Sequence, residues 1–373
     1  MYTTQQEQLS HERDAIEEAI RNAIKGAGKV NILVAGKTGV GKSTLINTVF
    51  RGDLAETGSG RPVTQNTQEI TKPGHPLTIL DTKGLELKDF AEINETLEKE
   101  LRDRAADFDG ERHIHAAWVC IHEDGRRVEE AEINLCNLLG SYKVPVIVVI
   151  TKARNDQNFS KEVRDVIKQA CEVVRVRAVT EEIEVDEERI LLPVKGIDDL
   201  IAATAKYIPE AQQRAYANAL SSKNLEGLKQ KKKQAEREVN MAAGLAGTAA
   251  AVPIPFSDAF ALVPIQVGML TKIGITYGME VSTAAITTMV GSIIGSSAAT
   301  LIGRAFVTNA LKLIPGVGSA AGGALAATTA VALTKALGAA YIAVLHDFCE
   351  QKPGAELDIE LITSELKRRM KFS

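Results

Sequence analysis

A glycine-rich segment near the N-terminus combines the residue types that bind phosphate. Its residues are Gly36, Lys37, Thr38, Gly39, Val40, Gly41, Lys42 and Ser43, followed by Thr44. Glycines let successive backbone N–H groups face one anion, and a helix that begins here adds its positive end. We expect Lys42 to reach the β and γ phosphates of a nucleoside triphosphate, and Ser43 to offer its hydroxyl to Mg²⁺, which prefers oxygen ligands. The spacing predicts a P-loop in which all of these residues bind nucleotide.

A second phosphate element is predicted at Asp81 to Gly84, a DxxG arrangement at the end of an apolar segment. Asp81 is expected to hold Mg²⁺ through water, and the Gly84 amide to sense the γ phosphate, so that loss of this phosphate releases the loop. The polar segment 58–67 is typical of a switch loop, in which Thr64, or as the alternative Thr67, completes the Mg²⁺ shell. The predicted metal ligands are Ser43, Thr64 and Asp81, and the predicted catalytic residues are Lys42, Thr64 and Gly84.

The element expected to select the base follows the apolar segment 144–150 and includes Thr151 and Lys152. Guanine-specific GTPases usually have [N/T]KxD here, with the lysine stem along the base and the aspartate on the guanine edge. Arg154 occupies the aspartate position and cannot accept hydrogen bonds, so Asp156 is expected to substitute if the loop bulges. Lys195, after the last apolar segment, is a further candidate for base contact, with a plain strand-to-helix turn as the alternative. We therefore expect GTP and GDP, with Mg²⁺, as ligands.

The residue that would position the attacking water is not evident. Ras-type enzymes have glutamine directly after DxxG, whereas this chain has Leu85, which can neither orient water nor transfer a proton. We therefore expect slow intrinsic hydrolysis. A repositioned polar residue, a potassium ion, a partner or a second copy, as a homodimer through the GTPase domain, would stimulate it. Arg61, Arg126 and Arg127 are candidates for a stabilising arginine, with solvated surface positions as the alternative.

Buried strands are predicted to position these elements. The apolar segments VNILVAG, PLTILDT, AAWVCIH, VPVIVVIT and RILLPV alternate with helix-forming segments between residues 29 and 207. Such runs are typical of parallel strands that are covered on both faces by helices. The predicted fold class is an α/β P-loop domain with a mostly parallel, doubly wound sheet, to which an all-α helical domain is added.

Composition narrows the remaining possibilities. The chain has 373 residues and a net charge of −4, which gives no overall attraction to nucleic acid, so no nucleic-acid partner is expected. Its four cysteines are scattered without CxxC spacing, which favours a reducing cytosol over a disulfide framework or zinc site. The polar, acidic N-terminus does not resemble a secretory signal. We expect a cytoplasmic protein, with the cytoplasmic face of a membrane as a further location.

Changes in composition divide the chain into four predicted parts. Residues 1–27 form an amphipathic helix, 28–207 the nucleotide-binding domain, 208–238 a basic helical linker and 239–373 a Gly/Ala-rich helical domain. In the last part, the segments 281–303 and 313–334 carry no charge and reach the roughly 20 residues that span a bilayer. Their many small and hydroxyl residues fit a tightly packed soluble bundle equally well, so contact with membrane lipid and a soluble bundle both remain open.

The motifs GKTGVGKS, PVTQNT, DTKG and TKAR, in this order, resemble the Era-like and septin-like branch of GTPases, and residues 28–207 carry the resemblance. The segments 252–258 and 263–270 look like the Gly/Ala-rich helical domain that follows a GTPase in a bacterial family whose members are often membrane-associated. The order of helix, GTPase and helical domain also resembles the immunity-related GTPases, dynamin relatives that act on membranes. The resemblance implies a nucleotide switch, and the substitution at Arg154 departs from its base-recognition motif.

Three functions follow from these features. The leading hypothesis is a GTPase with slow, Mg²⁺-dependent turnover, whose switch loops control how the helical domain contacts a membrane, a partner or another copy. Leu85 and Arg154 make a nucleotide-binding scaffold with little turnover the first alternative. An ATPase is the second.

Overall fold

The computed structural model describes residues 2–57, 59–62, 67–72, 74–82, 90–108, 110–185, 188–251, 258–279 and 323–370. Three predicted features, namely Thr64, the Gly84–Leu85 pair and the uncharged segment 281–303, lie outside the described residues. The chain divides into two compact units, one formed by Gly28–Gln230 and the other by Met1–Ala27 together with Lys231–Ser373. The first helix, α1 (Tyr2–Lys25), belongs to the second of these units.

A seven-stranded sheet of order β2-β3-β4-β1-β5-β6-β7 organises the unit Gly28–Gln230. Its strands are β1 (Val30–Gly36), β2 (Ser59–Pro62), β3 (Thr67–Thr71), β4 (Leu77–Thr82), β5 (Ala116–His122), β6 (Val146–Thr151) and β7 (Ala170–Val176). Strands β4, β1, β5, β6 and β7 are parallel, whereas β2 and β3 are antiparallel to their neighbours. The predicted mostly parallel sheet is confirmed.

Helices cover both faces of this sheet. They are α2 (Lys42–Val49), α3 (Leu54–Thr57), α4 (Phe90–Ala105), α5 (Glu130–Ser141), α6 (Phe159–Val166), α7 (Ile197–Tyr207) and α8 (Gln213–Ala219). One face buries Trp118, which stacks on Phe50 at 5.5 Å and donates from its Nε1 to Thr204 at 3.0 Å. The other face buries Leu135 and Phe159 among the strand side chains. The two cores fix the strand ends that carry the phosphate motifs.

The apolar segment RILLPV does not join the parallel sheet, so its predicted place there is wrong. It contributes β9 (Glu188–Leu192), which pairs only with β8 (Glu181–Val185) in a separate antiparallel sheet. Ile190 and Leu191 are exposed there, at 41% and 66%. The edge strand next to β6 is instead β7, in which the charged residues Glu172 and Arg175 interrupt the apolar ones, as is common in an edge strand.

The second unit is helical among its described residues. Besides α1 it contains most of α9 (Leu225–Ala251), and also α10 (Asp258–Tyr277), α11 (Gly323–Gln351) and α12 (Ile359–Met370). Its small residues allow close helix contact: a Cβ added at Gly338 would lie 2.4 Å from Val239, and one added at Gly247 would lie 2.8 Å from Val331. The Gly/Ala-rich composition therefore brings α9 and α11 together.

Within the part of the chain that the structure describes, one stretch, Ala327–Gln351, is long and apolar enough to cross a membrane. In its most apolar window, 44% of the residues are buried inside the protein. Core helices of soluble bundles meet the same criterion, so membrane contact stays a prediction.

Among the glycines that the structure describes, Gly196 is the one at which an added Cβ would meet the shortest contact. It precedes α7 with φ of +72°, and an added Cβ would lie 1.9 Å from the carbonyl oxygen of Arg175. Gly196→Ala is therefore expected to lower the free energy of unfolding by about 2–3 kcal/mol. Urea denaturation followed by the fluorescence of Trp118, the single tryptophan, measures this unit directly.

The matched control is Gly125→Ala, because a Cβ at Gly125 meets nothing within 4 Å. We expect a change below about 0.5 kcal/mol there. Equal losses from the two substitutions would contradict the steric argument.

Candidate nucleotide-binding site

The loop between β1 and α2 has the backbone geometry of a phosphate cradle. Gly39 and Gly41 have φ of +76° and +104°, in the left-handed region that favours glycine. Gly36 lies against β5, because a Cβ there would be 2.6 Å from the carbonyl oxygen of Cys120. Since α2 begins at Lys42, its first N–H groups point into this loop, where an anion would satisfy them.

Two lysines of the loop have different partners. The Lys42 ammonium donates to the carbonyl oxygens of Gly36 at 2.9 Å and Lys37 at 3.3 Å, so it lies across the loop. Lys37 instead forms an ion pair with Glu129, the residue that caps α5 through a capping box with Glu132. Lys42 is thus placed for phosphate, whereas Lys37 connects the loop to the adjacent helix.

Asp81 lies next to the loop, because β4 pairs with β1 and Asp81 is in register with Val34. Its Oδ1 is buried and has no hydrogen-bond partner in the described structure. Burial raises the pKa of the Asp81 carboxyl, and the positive charge of Lys42 opposes that rise. A buried carboxylate oxygen without a donor is the ligand type that a hard cation requires.

These donors fit Mg²⁺. Asp81 and Ser43, the second residue of α2, are the described candidates for its shell, and Thr64 lies outside the described residues. The described ranges contain no group of three or more His, Cys, Asp or Glu side chains that would hold a metal. Mg²⁺ commonly binds through one or two protein oxygens, substrate phosphates and water, so the site is of the kind that is completed by nucleotide.

A cavity of about 180 Å³ extends from the phosphate loop to the ends of β6 and β7, and we call it the base cavity. Five predicted nucleotide contacts line it, namely Val40, Gly41, Thr44, Thr151 and Lys152. Its other lining residues are Leu45, Val176, Arg177, Ala178, Val179, Thr180 and Glu181. Arg154, Asp156 and Lys195 are absent from this lining. The structure therefore joins the phosphate loop to Thr151 and Lys152 in one concave site.

The loop after β6 is held by a buried carboxylate. Glu123, which is fully buried, accepts hydrogen bonds from the backbone N–H groups of Arg154 and Asn155, the latter at 2.9 Å. Arg175 on β7 donates from its Nε to the other Glu123 oxygen at 2.7 Å. Together these contacts fix the backbone that follows Lys152, which has φ of +53°.

The two candidate base-recognition residues beyond Lys152 have partners of their own. Asp156 accepts from the backbone N–H of Ser160 at 2.9 Å and from its hydroxyl at 2.6 Å, and lies 3.3 Å from Arg175. It therefore caps α6. Arg154 donates from its Nε to Glu181 at 3.0 Å, and a second guanidinium nitrogen bonds to the other oxygen of the same carboxylate.

The candidate arginines for catalysis lie in different places. Arg126 donates to the backbone carbonyl of Asp156 at 2.6 Å and Arg127 to the Glu129 carboxylate at 3.1 Å. The side chain of Arg61 lies outside what the structure describes. Arg126 therefore supports the loop after β6.

Sequence reasoning missed the loop Arg177–Glu181, which directly follows β7 and supplies five of the cavity-lining residues. Lys195 lies behind it, since its backbone exchanges hydrogen bonds of 2.9 and 3.0 Å with Arg177. The signal that could have found this loop is the group Val173, Val174 and Val176, which predicts a strand that ends where the loop begins.

Two family models match this chain. Residues 31–152 match the family described as "50S ribosome-binding GTPase", and residues 214–370 match the family described as "Domain of unknown function (DUF697)". The first range contains the phosphate loop, Asp81, Thr151 and Lys152. The second includes α9, α10, α11 and α12.

Similar proteins share the first of these regions. GTPase Era of Clostridium botulinum (strain Okra / Type B1) is 26% identical over 184 residues, which cover 49% of this chain and 56% of that protein. Translocase of chloroplast 90 of Arabidopsis thaliana is 46% identical over 57 residues, covering 15% of this chain and 7% of that protein. The solved structure of Era in complex with MgGDPNP and nucleotides 1506–1542 of 16S ribosomal RNA is 21% identical, with a TM-score of 0.31, covering 49% of this chain and 58% of that one.

The chain thus spans little more than half the length of the Era proteins it matches. The first matched range includes both the phosphate loop and the DxxG segment. The chain thus contains a P-loop GTPase domain of the Era-like type, matched over residues 31–152, and a C-terminal region, residues 214–370, that matches the DUF697 family.

Proposed function

We propose that this protein binds GTP and GDP with Mg²⁺ and hydrolyses GTP slowly. The observation that carries the proposal is the position of Lys42 across the glycine loop beside Asp81, whose buried Oδ1 has no donor in the described structure. A triphosphate in the loop would meet the lysine charge, and its Mg²⁺ would meet the carboxylate. The metal would neutralise charge that develops on the phosphates during transfer.

The base cavity supports a purine nucleotide. Its floor includes Thr44 and Leu45 of α2, and its wall includes Lys152, whose aliphatic stem can lie along a base. Membership in an Era-like GTPase family favours guanine over adenine. The proposed ligands are therefore guanine nucleotides.

The proposed output of the nucleotide cycle is a change in the contacts made by the helical unit. The apolar stretch Ala327–Gln351 supports membrane lipid as one contact, and a homodimer through the GTPase domain is another. The proposal places the protein in the cytoplasm or at the cytoplasmic face of a membrane and includes no nucleic-acid partner. Flotation of the full chain with anionic vesicles, in GTP or GDP, tests the lipid contact. Equal recovery with and without vesicles would contradict it.

Single-turnover hydrolysis tests the enzymatic part of the proposal. We expect slow release of phosphate from GTP that requires Mg²⁺, and faster release at protein concentrations or on vesicles that bring copies together. Binding of GTP with no phosphate release under any of these conditions would contradict the proposed hydrolysis and favour a nucleotide-binding scaffold.

Asp81→Asn separates the metal site from the phosphate loop. Mg²⁺ is expected to raise the affinity of the wild-type protein for a non-hydrolysable GTP analogue. In the variant we expect this gain to be at least about tenfold smaller, because an amide is a weaker ligand for a hard cation than a carboxylate. Titrations in Mg²⁺ and in EDTA measure this gain. Asp165→Asn, at an exposed position on α6, is the control. An unchanged gain in Asp81→Asn would contradict the assigned metal ligand.

The same substitution should stabilise the nucleotide-free protein. Because the pKa of Asp81 is raised in the folded state, the folded chain binds a proton more readily, and stability falls as pH rises from the unfolded pKa through the folded one. An asparagine side chain does not ionise and carries no such cost, so the variant should gain stability over wild type at pH 7 and lose this gain near pH 3. If the wild-type protein is more stable than Asp81→Asn at pH 7, this prediction is contradicted.

A further inference from the structure

The base cavity lacks the carboxylate that the family's motif would supply, because Arg154 stands in its place. Guanine presents two donors on one edge, N1–H and the 2-amino group. A guanidinium offers only further donors and cannot pair with that edge. If guanine binds here, an acceptor must come from another residue.

Glu181 is the one acidic residue among the described residues that line the base cavity. It begins β8, directly after the loop Arg177–Thr180 that forms the cavity wall. Its side chain is 28% exposed, so it is open to a ligand. The lining of the base cavity therefore contains, besides Lys152, a carboxylate that the family's motif does not include.

Arg154 holds this carboxylate in place. Its Nε donates to one oxygen of Glu181 at 3.0 Å and a second nitrogen to the other, a two-bond arrangement that fixes the plane of the carboxylate. Hydrogen bonds from Arg154 lower the pKa of Glu181, which keeps it ionised. Each carboxylate oxygen accepts about two hydrogen bonds. The Arg154 fork occupies the inner position of both oxygens, so each oxygen keeps one outward position for a ligand.

The other carboxylates of this region are already used. Asp156 caps α6 through Ser160 and faces Arg175, and Glu123 is buried beneath the loop after β6. The Asp124 carboxylate lies 3.7 Å from Nη1 of Arg154, the guanidinium nitrogen that does not bond to Glu181, and the Asp124 side chain is 51% exposed. The described lining of the base cavity includes none of these three carboxylates.

We propose that Glu181 is the guanine-recognising carboxylate of this protein and that Arg154 is the residue that positions it. The inference rests on the proposed function and names the base contact of that same site. One oxygen of Glu181, at its outward position, accepts hydrogen bonds from both N1–H and the 2-amino group of guanine. Adenine presents an unprotonated N1 at this position, and its lone pair would face the negative carboxylate. Recognition by a motif aspartate is thus replaced by an Arg–Glu pair from two loops.

The test uses the full chain with Mg²⁺ and nucleoside diphosphates, which exclude turnover. Dissociation constants for GDP, IDP and ADP are measured by calorimetry on wild type and Glu181→Gln. IDP lacks the 2-amino group, so the GDP-to-IDP ratio reports that contact specifically. We expect wild type to prefer GDP over both, and Glu181→Gln to weaken GDP about 10- to 100-fold while IDP and ADP change less, since a charged acceptor is lost.

Glu182→Gln is the matched control, because Glu182 is the next residue of the same strand, 52% exposed and paired with Arg189. It should leave all three constants unchanged. Arg154→Gln keeps the carboxylate but removes its two hydrogen bonds, so it should weaken GDP by a smaller factor. Thermal unfolding of each variant identifies any loss of fold.

Two outcomes overturn different claims. If wild type prefers GDP over ADP and Glu181→Gln retains both the affinity and the GDP-to-IDP ratio, the assignment of Glu181 is overturned while the proposed function stands. If wild type binds GDP and ADP equally, the proposed guanine specificity fails, and the assignment fails with it. Unchanged GDP affinity in Arg154→Gln overturns the positioning role.

Discussion

Lys42→Ala is expected to weaken the binding of GTP by at least about 100-fold. The Lys42 ammonium is placed across the glycine loop by its bonds to Gly36 and Lys37. On binding, it would exchange these carbonyls for phosphate oxygens. Each hydrogen bond between charged groups contributes about 1.5–3 kcal/mol, and two such bonds correspond to the expected loss in affinity at about 1.4 kcal/mol per tenfold.

Equilibrium titration with a fluorescent, non-hydrolysable GTP analogue in Mg²⁺ measures this loss. Lys161→Ala removes an exposed lysine of α6 and should leave the affinity unchanged. The melting temperature without nucleotide distinguishes a lost ligand contact from a lost fold. Retention of wild-type affinity in the Lys42 variant would disprove the placement of the phosphates, and with it the proposed function.

The part of the site that would bind phosphate was predictable because most of its residues lie close together in the sequence. Gly36, Gly39, Gly41 and Lys42 follow one strand and begin one helix, so their spacing alone determines that they share a loop. Asp81 could be placed beside them because it ends an apolar segment, and parallel strands bring such ends to one edge. These predictions need no knowledge of distant contacts.

The part of the site that would bind the base was predictable only in part, because its lining residues depend on which strand lies at the edge of the sheet. Thr151 and Lys152 follow the long apolar strand β6 and were found from its pattern. The loop Arg177–Glu181 was missed because Glu172 and Arg175 interrupt the apolar residues of β7. The more apolar RILLPV segment was predicted to be the strand in its place. That segment pairs instead with β8 in a local antiparallel hairpin, and hydrophobic periodicity does not reveal which partner a strand takes.

The charged pairs around the loop after β6 could not be predicted from the sequence either. Glu123, Arg154, Arg175 and Glu181 come from four separate segments, and their partners are set by the packing of β5, β6 and β7. Ordinary charged residues in a sequence are most often solvated. Only the fold shows that Glu123 is fully buried and that Arg154 faces a carboxylate.

Glu123→Ala is expected to lower the free energy of unfolding by about 3 kcal/mol. The substitution leaves the Arg175 guanidinium, whose side chain is only 19% exposed, without its nearest carboxylate. It also leaves the backbone N–H groups of Arg154 and Asn155 without acceptors. Removing one member of a buried ion pair costs about 3–5 kcal/mol, and the remaining contact of Arg175 with Asp156, at 3.3 Å, places the expected value at the lower end.

Urea denaturation followed by Trp118 fluorescence reports this loss, because Trp118 lies in the core on β5, the strand that leads to Glu123. Asp124→Ala, at the exposed neighbouring position, should cost less than about 0.5 kcal/mol. Glu123→Gln keeps an acceptor oxygen and should lose less than the alanine variant. Because Glu123 anchors the loop that presents Lys152, the alanine variant should also bind GDP more weakly at temperatures where it is folded. Equal stability of the Glu123 and Asp124 alanine variants would show that the buried carboxylate does not hold this loop.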